Sequence, residues 1–188
     1  RRNSLIRPAV ANIDQAVVIF SIHRPEPAWD LLDRFILMMG YAYIKSYICI
    51  NKDDLSRQSE AGHICSIYRD SGCEVLFTST INGTGIDELK AILKGKTTAV
   101  AGPSGVGKSS IINTLTGTDQ METGEISRRV ERGKQTTRHT ELVPIAEDTF
   151  ILDSPGFSSM DLPDISKEQL RFYYPEFAEY EGSCYFNG

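Results

Sequence analysis

The chain has 188 residues and a formal net charge of −5, from 20 Lys and Arg against 25 Asp and Glu. Hydrophobic residues make up 40% of the sequence and charged residues 24%, which is typical of a globular domain and excludes a disordered or fibrous chain. The longest apolar stretch, residues 35–44, is interrupted by Gly40 and is shorter than the roughly 20 residues of a membrane helix. We therefore expect no membrane association. Four cysteines without framework spacing predict free thiols in a reducing, cytoplasmic setting, the first three of them buried.

Short apolar runs rich in β-branched residues alternate with segments of helical period, which is typical of a βαβ protein. The pattern predicts a mostly parallel, doubly wound sheet of six strands, with helices on both faces and an antiparallel hairpin at the end. Helical periodicity is clearest over residues 28–39, 61–68, 86–93 and 111–115, and a further helix is predicted over Lys167–Tyr180. The predicted strands are Ala16–Ser21, Tyr47–Ile50, Glu74–Ser79, Thr97–Ala101, Glu141–Ile145 and Thr149–Leu152.

A glycine-rich motif follows the fourth predicted strand and precedes an apolar helix. Residues 102–109 read Gly-Pro-Ser-Gly-Val-Gly-Lys-Ser and fit G-x-x-x-x-G-K-[ST]. In this motif backbone N–H groups and the helix N-terminus bind phosphates, the lysine reaches the β- and γ-phosphates, and the serine hydroxyl ligates Mg²⁺. A glycine-rich turn is the alternative, but the flanking strand and helix favour nucleotide binding. The predicted contacts are Gly102, Pro103, Ser104, Gly105, Val106, Gly107, Lys108, Ser109 and Ser110, with Ser109 on the metal.

Polar residues at two other strand ends indicate which base is bound. Guanine presents two adjacent donors, N1–H and the 2-amino group, that one carboxylate at Asp54 could accept, whereas adenine lacks this pair. Alternatively, Asp53 or Asp54 could cap the helix that follows. After the third strand, the Ser79–Thr80 loop could supply a backbone N–H to guanine O6. The predicted guanine contacts are Asn51, Lys52, Asp53, Asp54, Ser79 and Thr80.

A third motif follows the last predicted strand, where Asp153-Ser154-Pro155-Gly156 fits D-x-x-G. In such a motif the aspartate holds Mg²⁺ through water and the Gly156 N–H meets the γ-phosphate, although an ordinary turn is the alternative. Phe157 stands where many small GTPases carry a glutamine that orients the attacking water. We therefore expect slow intrinsic turnover, or a group elsewhere in the chain that positions this water.

Residues 127–138 are strongly basic and lack apolar periodicity, which predicts a loop. Within it, Thr137 could close on Mg²⁺ and the γ-phosphate, although polar loop filler is the alternative. The arginines, Arg128, Arg129 and Arg132 among them, could contact RNA phosphates or be solvated loop charge. The histidines, His23, His63 and His139, have no ligand spacing, so we expect surface or packing roles for them.

The order of these motifs is unusual. Most GTPases run from the phosphate loop through D-x-x-G to N-K-x-D, whereas here N-K-x-D and the Ser79 loop come first. This circular permutation, together with Pro8–Gln15 and Gly133–Arg138, resembles the bacterial ribosome small-subunit-dependent GTPase A family over almost the whole chain. Another permuted family, acting on the large subunit, carries Asp-Ala-Arg-x-Pro after its first strand. This chain reads Phe-Ser-Ile-His-Arg-Pro at residues 20–25, which fits that family less well.

The resemblance implies a circularly permuted P-loop GTPase fold and the domains that surround it. Residues 1–14 would be a linker from a missing N-terminal OB-fold domain, 15–160 the GTPase domain, and 161–188 the helical start of a truncated zinc-binding domain. Cys184 resembles the first zinc ligand of that domain, whose other ligands would follow Gly188. A monomer that binds GTP or GDP with Mg²⁺, and that contacts the small ribosomal subunit and its rRNA, is also implied.

The implied activity is GTP hydrolysis during late maturation of the small subunit, stimulated by the subunit. Lys108, Thr137 and Gln135 would be the catalytic residues, although the family commonly has histidine where Gln135 stands, as a candidate for positioning the water. Thr80 replaces the alanine that the family usually has in the Ser79–Thr80 loop. Two other classes stay open: a GTP-dependent ribosome-binding switch with incidental hydrolysis, and a P-loop ATPase or kinase in which residues 51–54 match by accident.

Overall fold

The apolar β-branched runs form a six-stranded sheet in the computed structural model, which describes residues 12–117, 141–153, 164–180 and 182. All six predicted strands are present, and their ends differ from the predicted ones by at most two residues. The strands are β1 Gln15–Ser21, β2 Lys45–Asn51, β3 Glu74–Thr78, β4 Thr97–Ala101, β5 Glu141–Ala146 and β6 Thr149–Asp153.

The order of strands across the sheet is β3-β2-β1-β4-β6-β5, and only the β5–β6 pair is antiparallel. This confirms the prediction of a mostly parallel sheet that ends in a hairpin. In the parallel register, Ser21 of β1 lies opposite Asn51 of β2, and Val100 of β4 lies opposite Asp153 of β6. The carboxyl ends of β1, β2, β4 and β6 therefore lie at one edge of the sheet, where ligands of such folds bind.

The helices cover both faces of the sheet, as predicted. Ala16, Val18 and Phe20 of β1 belong to a buried cluster with residues of α1 and α2. Val17 and Ile19 belong to a second buried cluster with residues of α3 and α4, as the alternation of side chains along a strand requires. The helices are α1 Trp29–Tyr41, α2 Glu60–Tyr68, α3 Ile86–Leu93 and α4 Lys108–Thr116, and a 3₁₀ turn covers Asp53–Leu55.

The predicted helix Lys167–Tyr180 is wrong in its extent. Ser166 and Gln169 form a capping box that starts a short helix, α5 Lys167–Leu170, and only 3₁₀ turns follow at Arg171–Tyr173 and Pro175–Tyr180. Pro175 lacks an N–H and disfavours helical dihedrals at the residue before it, which is extended here. The segment contacts α1 through the Tyr41 and Tyr173 rings, whose centroids are 5.5 Å apart.

The cysteines correct another prediction. Cys49 is buried and Cys73 half-buried, but Cys65 is exposed, because α2 turns Ile64 and Tyr68 toward the sheet. All three are free thiols, and Cys184 lies outside the described residues. Among the described helices, none is both long enough and apolar enough to cross a bilayer.

Candidate nucleotide-binding site

The glycine-rich segment forms a loop between β4 and α4, in the strand–loop–helix context that the motif requires. We call residues 102–109 the phosphate loop. Gly102 has φ +154°, and a Cβ at this position would lie 2.1 Å from the carbonyl oxygen of Ile19. Only glycine therefore lets the chain leave β4 this close to β1. Since α4 begins at Lys108, its N-terminal end faces the phosphate loop and favours an anion there.

Lys108 lies half-buried against the loop that precedes it. Its Nζ donates hydrogen bonds to the carbonyl oxygens of Gly102, at 2.8 Å, and Pro103, at 2.9 Å. Burial lowers the pKa of this ammonium group, and the negative charge of Asp153 opposes that shift. The lysine thus brings a cation to the rim of the phosphate loop, on the side of β6.

Asn51, the last residue of β2, links two separate parts of the site. Its side chain is almost fully buried, with 1% of its surface exposed. The Nδ2 group donates to the carbonyl oxygen of Val106 at 2.9 Å, and the Oδ1 atom accepts a hydrogen bond from the Thr78 hydroxyl at 3.1 Å. The phosphate loop is therefore bonded through Asn51 to the end of β3.

Lys52 makes a second connection to the phosphate loop. Its backbone is left-handed, with φ +62°, and its Nζ donates to the carbonyl oxygen of Gly105 at 2.8 Å and to that of Arg24. Burial lowers the pKa of Lys52, against the attraction of Asp54. One side chain thus joins the phosphate loop to the β1–α1 loop, residues 22–27.

Asp54 presents its carboxylate from the 3₁₀ turn Asp53–Leu55. The Ser79 hydroxyl, which is fully buried, donates to Asp54 Oδ1 at 2.5 Å and accepts a hydrogen bond from the Ile81 N–H at 3.2 Å. Neither Asp53 nor Asp54 caps α2, because that helix begins at Glu60 after Ser59. The alternative, in which these aspartates serve only as caps of the following helix, is therefore wrong. The exposed side of the Asp54 carboxylate is accessible to a ligand.

Two of the predicted Mg²⁺ ligands lie in the described residues. Ser109 is half-buried in the first turn of α4, and Asp153 ends β6 with a buried Oδ1 atom. A hydroxyl and a carboxylate supply the hard oxygen donors that Mg²⁺ prefers, so these residues fit the ion. Within the described ranges, no three His, Cys, Asp or Glu side chains are grouped to hold a metal by themselves. The other predicted site residues, Gln135, Thr137, Gly156 and Cys184, lie outside those ranges.

The structure adds residues that the motifs did not identify. Thr78 orients Asn51, and the β1–α1 loop reaches the site through the Arg24 carbonyl group. The sequence did indicate the β1–α1 loop, because this loop follows a predicted central strand, at the edge of the sheet where ligands bind. The contact of Thr78 had no such signal, since it depends on the β2–β3 register, which pairs Asn51 with Thr78.

Gly107→Ala tests the tight contact between Asn51 and the phosphate loop. Gly107 has φ +98°, and a Cβ there would lie 2.4 Å from Asn51 Nδ2, whose position two hydrogen bonds hold. We expect this variant to lose about 3 kcal/mol of unfolding free energy in urea titrations, from backbone strain and the clash together. Gly95→Ala is the matched control, because Gly95 also has a positive φ, +69°, but has open space around it. It should lose only about 1 kcal/mol, and equal losses would contradict a rigid contact.

Comparison with known proteins gives the family. The model of the RsgA GTPase family matches residues 1–163. The small ribosomal subunit biogenesis GTPase RsgA of Agathobacter rectalis is 57% identical over 188 residues, which is all of this chain and 62% of the relative. The chain thus spans less than two thirds of the length of the curated relatives that it matches.

Two solved structures share the fold. YjeQ from Thermotoga maritima matches with a TM-score of 0.73 at 29% identity, over 97% of this chain and 61% of the other. YloQ, described as a circularly permuted GTPase, matches with a TM-score of 0.65 at 32% identity, over 94% of this chain and 56% of the other. These matches confirm the circularly permuted fold that the motif order predicted. On the extent and identity of these matches, the chain belongs to the RsgA GTPase family.

Proposed function

We propose that the protein binds GTP, hydrolyses it to GDP and phosphate, and acts in late maturation of the small ribosomal subunit, which stimulates the hydrolysis. The observation that carries the proposal is the hydrogen bond from Asn51 to the Val106 carbonyl group, which holds the base-reading loop against the phosphate loop. The ribosomal part rests on relatives that are named small ribosomal subunit biogenesis GTPases. In this proposal the protein works in the cytoplasm as a monomer.

Guanine is selected at Asp54. The bond from Ser79 engages one carboxylate oxygen and fixes the orientation of the group, whose exposed side can accept guanine N1–H and the 2-amino group. An adenine in the same place would leave this carboxylate facing an acceptor, a mismatch that can favour guanine by about 10⁴-fold or more. Lys52 and Asp53 flank the base, and the loop at Ser79 and Thr80 supplies a backbone N–H to its O6 atom.

The phosphates lie over the phosphate loop, between Lys108 and the N-terminus of α4. Lys108 reaches the β- and γ-phosphates and stabilises the negative charge that spreads over the transferred group. Ser109 and Asp153 hold Mg²⁺ together with Thr137, and the ion neutralises charge on the phosphate oxygens when bound. The Gly156 N–H meets the γ-phosphate, and Gln135 orients the attacking water by hydrogen bonding.

The chain is one part of a longer protein in this proposal. Residues 1–14 link it to an N-terminal OB-fold domain, and residues 161–188 begin a zinc-binding domain that includes Cys184. Because the D-x-x-G segment at residues 153–156 precedes that domain in the sequence, nucleotide state can change how the domain docks on the subunit. The basic segment, residues 127–138, contacts rRNA phosphates at the same time.

The experiment that tests this function is steady-state hydrolysis of GTP and of ATP by the intact protein, at fixed salt. It is run with the protein alone, with purified small subunits and with purified large subunits. We expect slow GTP turnover that only small subunits stimulate, and no turnover of ATP. GTP turnover indifferent to both subunits would remove the ribosomal assignment. ATP turnover comparable to that of GTP would instead support a P-loop ATPase or kinase.

Asp54→Asn tests the choice of base. The amide presents a donor where guanine needs an acceptor, so GTP and GDP should bind at least about 100-fold more weakly. Xanthosine diphosphate, which has a carbonyl in place of the 2-amino group, should bind more tightly than it does to the wild-type protein. Both affinities can be measured by competition with a fluorescent nucleotide. Asp70→Asn, which makes the same change at an exposed site, is the control and should leave both affinities unchanged.

The RNA contact is tested by replacing Arg128, Arg129 and Arg132 together with alanine. Binding to the small subunit should weaken. The slope of the logarithm of the binding constant against the logarithm of salt concentration should become less steep by about 2, since each phosphate contact contributes about 0.7 to 0.9 to that slope. The matched control removes the same charge from exposed residues elsewhere, Arg69, Lys90 and Lys94. A slope that is unchanged, or that falls equally in the control, would contradict the contact.

A further inference from the structure

His23 lies in the β1–α1 loop with one carboxylate at each ring nitrogen. Its Nδ1 atom is 3.1 Å from Glu26 Oε1, and its Nε2 atom is 3.1 Å from Glu60 Oε2. The side chain is 17% exposed, whereas the Glu26 side chain is 79% exposed. The ring is therefore held mainly between its own loop and the first residue of α2.

Glu60 ties this contact to the guanine loop, residues 51–59. The same Oε2 atom that faces His23 accepts a hydrogen bond from the Arg57 backbone N–H at 2.6 Å, which fastens the end of the guanine loop to α2. At the other end of that loop, Lys52 donates to the carbonyl oxygen of Arg24, the residue after His23. The Ile22 N–H also donates to the Asn51 carbonyl oxygen at 2.9 Å, so the β1–α1 loop is joined to the guanine loop and the start of α2 at three points, and His23 makes one of them.

We propose that His23 is a positioning residue for the nucleotide: its doubly protonated ring clamps the β1–α1 loop to the guanine loop and so tightens nucleotide binding. The inference rests on the proposed binding of guanine nucleotides. His23 touches neither base nor phosphate in this role; it acts through Glu60 on the loop that carries Asn51, Lys52 and Asp54. Lys52 passes the same constraint to the phosphate loop through Gly105.

The chemistry of imidazole makes the clamp depend on protonation. A neutral ring has one N–H, so it can donate to Glu26 or to Glu60, and its other nitrogen then turns a lone pair toward a carboxylate. Only the imidazolium donates at both nitrogens, and both bonds are then charge-assisted. Loss of the proton therefore weakens one of these three joints.

The two carboxylates hydrogen-bonded to the ring favour its protonated form. The hydrogen bond to Glu26 and then that to Glu60 raise the pKa of His23 above 6.5, against a smaller opposing effect of burial. The pKa of Glu60 is lowered, first by the Arg57 N–H and further by His23, so Glu60 stays ionised. The cations nearby, Arg24, Lys52 and Arg57, belong to the two joined loops. Because the pKa of His23 is raised, the clamp is complete below pH 6.5 and is lost as the pH rises through the raised value.

The test measures the affinity of the full chain for a fluorescent GDP derivative between pH 6 and pH 8.5, at fixed salt. The wild-type Kd should rise about fivefold across this range, a typical coupling between two sites. His23→Gln should bind the GDP derivative weakly at low pH, and its Kd should lose the pH dependence that His23 contributes. Any pH dependence that remains in this variant is due to other groups. His63→Gln, at an exposed position of α2, is the matched control and should keep the wild-type profile. A flat wild-type profile, or a wild-type slope in His23→Gln, would overturn the inference.

A second measurement uses the unsubstituted protein and does not depend on how a variant folds. The chain has three histidines, whose ring protons can be titrated by NMR with and without GDP. Since coupling is reciprocal, GDP should raise the pKa of His23 by the logarithm of the same fivefold factor and leave that of His63 in place. Equal values with and without GDP would overturn the clamp while leaving the proposed function intact. Absence of GDP binding at every pH would instead overturn both.

Discussion

The site depends on one buried amide. Asn51 donates to the Val106 carbonyl group and accepts a hydrogen bond from Thr78, so its side chain joins the phosphate loop to the ends of β2 and β3. Leaving a group of a buried amide without a hydrogen-bond partner costs free energy, so the two hydrogen bonds of Asn51 are expected to form or break together. Gly107 reinforces the constraint, because the absence of a Cβ lets the phosphate loop approach the amide closely. The positions of the phosphate loop and of the ends of β2 and β3 are therefore coupled through Asn51.

Circular permutation leaves this constraint intact, because the sheet and not the chain order sets the distances. β1 lies between β2 and β4 and is parallel to both. The loops that follow β2 and β4 therefore emerge at the same edge of the sheet, on either side of β1, although about 50 residues separate them in the sequence. What permutation changes is connectivity. The β1–α1 loop contacts the first residue of α2 through His23, and Lys52 of the guanine loop through the Arg24 carbonyl group. In the proposed clamp, this contact lets His23 act on nucleotide affinity from outside the recognised motifs.

The fold was largely predictable because apolar periodicity reports burial directly. All six strands and four of the helices follow from it, and so does the position of the phosphate loop between β4 and α4. The misses have physical causes. Gln15 joins β1 although it is polar, because its amide donates to the Thr98 hydroxyl of β4 and to the Ile92 carbonyl oxygen of α3. The predicted long C-terminal helix ends at Leu170, and Pro175 prevents a helix from continuing past the 3₁₀ turn that follows. Cross-links within the site, such as that of Lys52, depend on strand register and side-chain reach, which a single sequence does not encode in any short motif.

The side-chain donors around the phosphate loop also account for how it can attract an anion. Four of its backbone carbonyl oxygens accept hydrogen bonds from side chains: Gly102 and Pro103 from Lys108, Gly105 from Lys52, and Val106 from Asn51. Each of these oxygens carries a partial negative charge that would repel a phosphate group. Once donors neutralise them, the positive ends of the peptide dipoles and the N-terminus of α4 dominate the field over the loop. The N-K-x-D segment thus acts electrostatically on the phosphate loop, since two of the three donors, Asn51 and Lys52, belong to it.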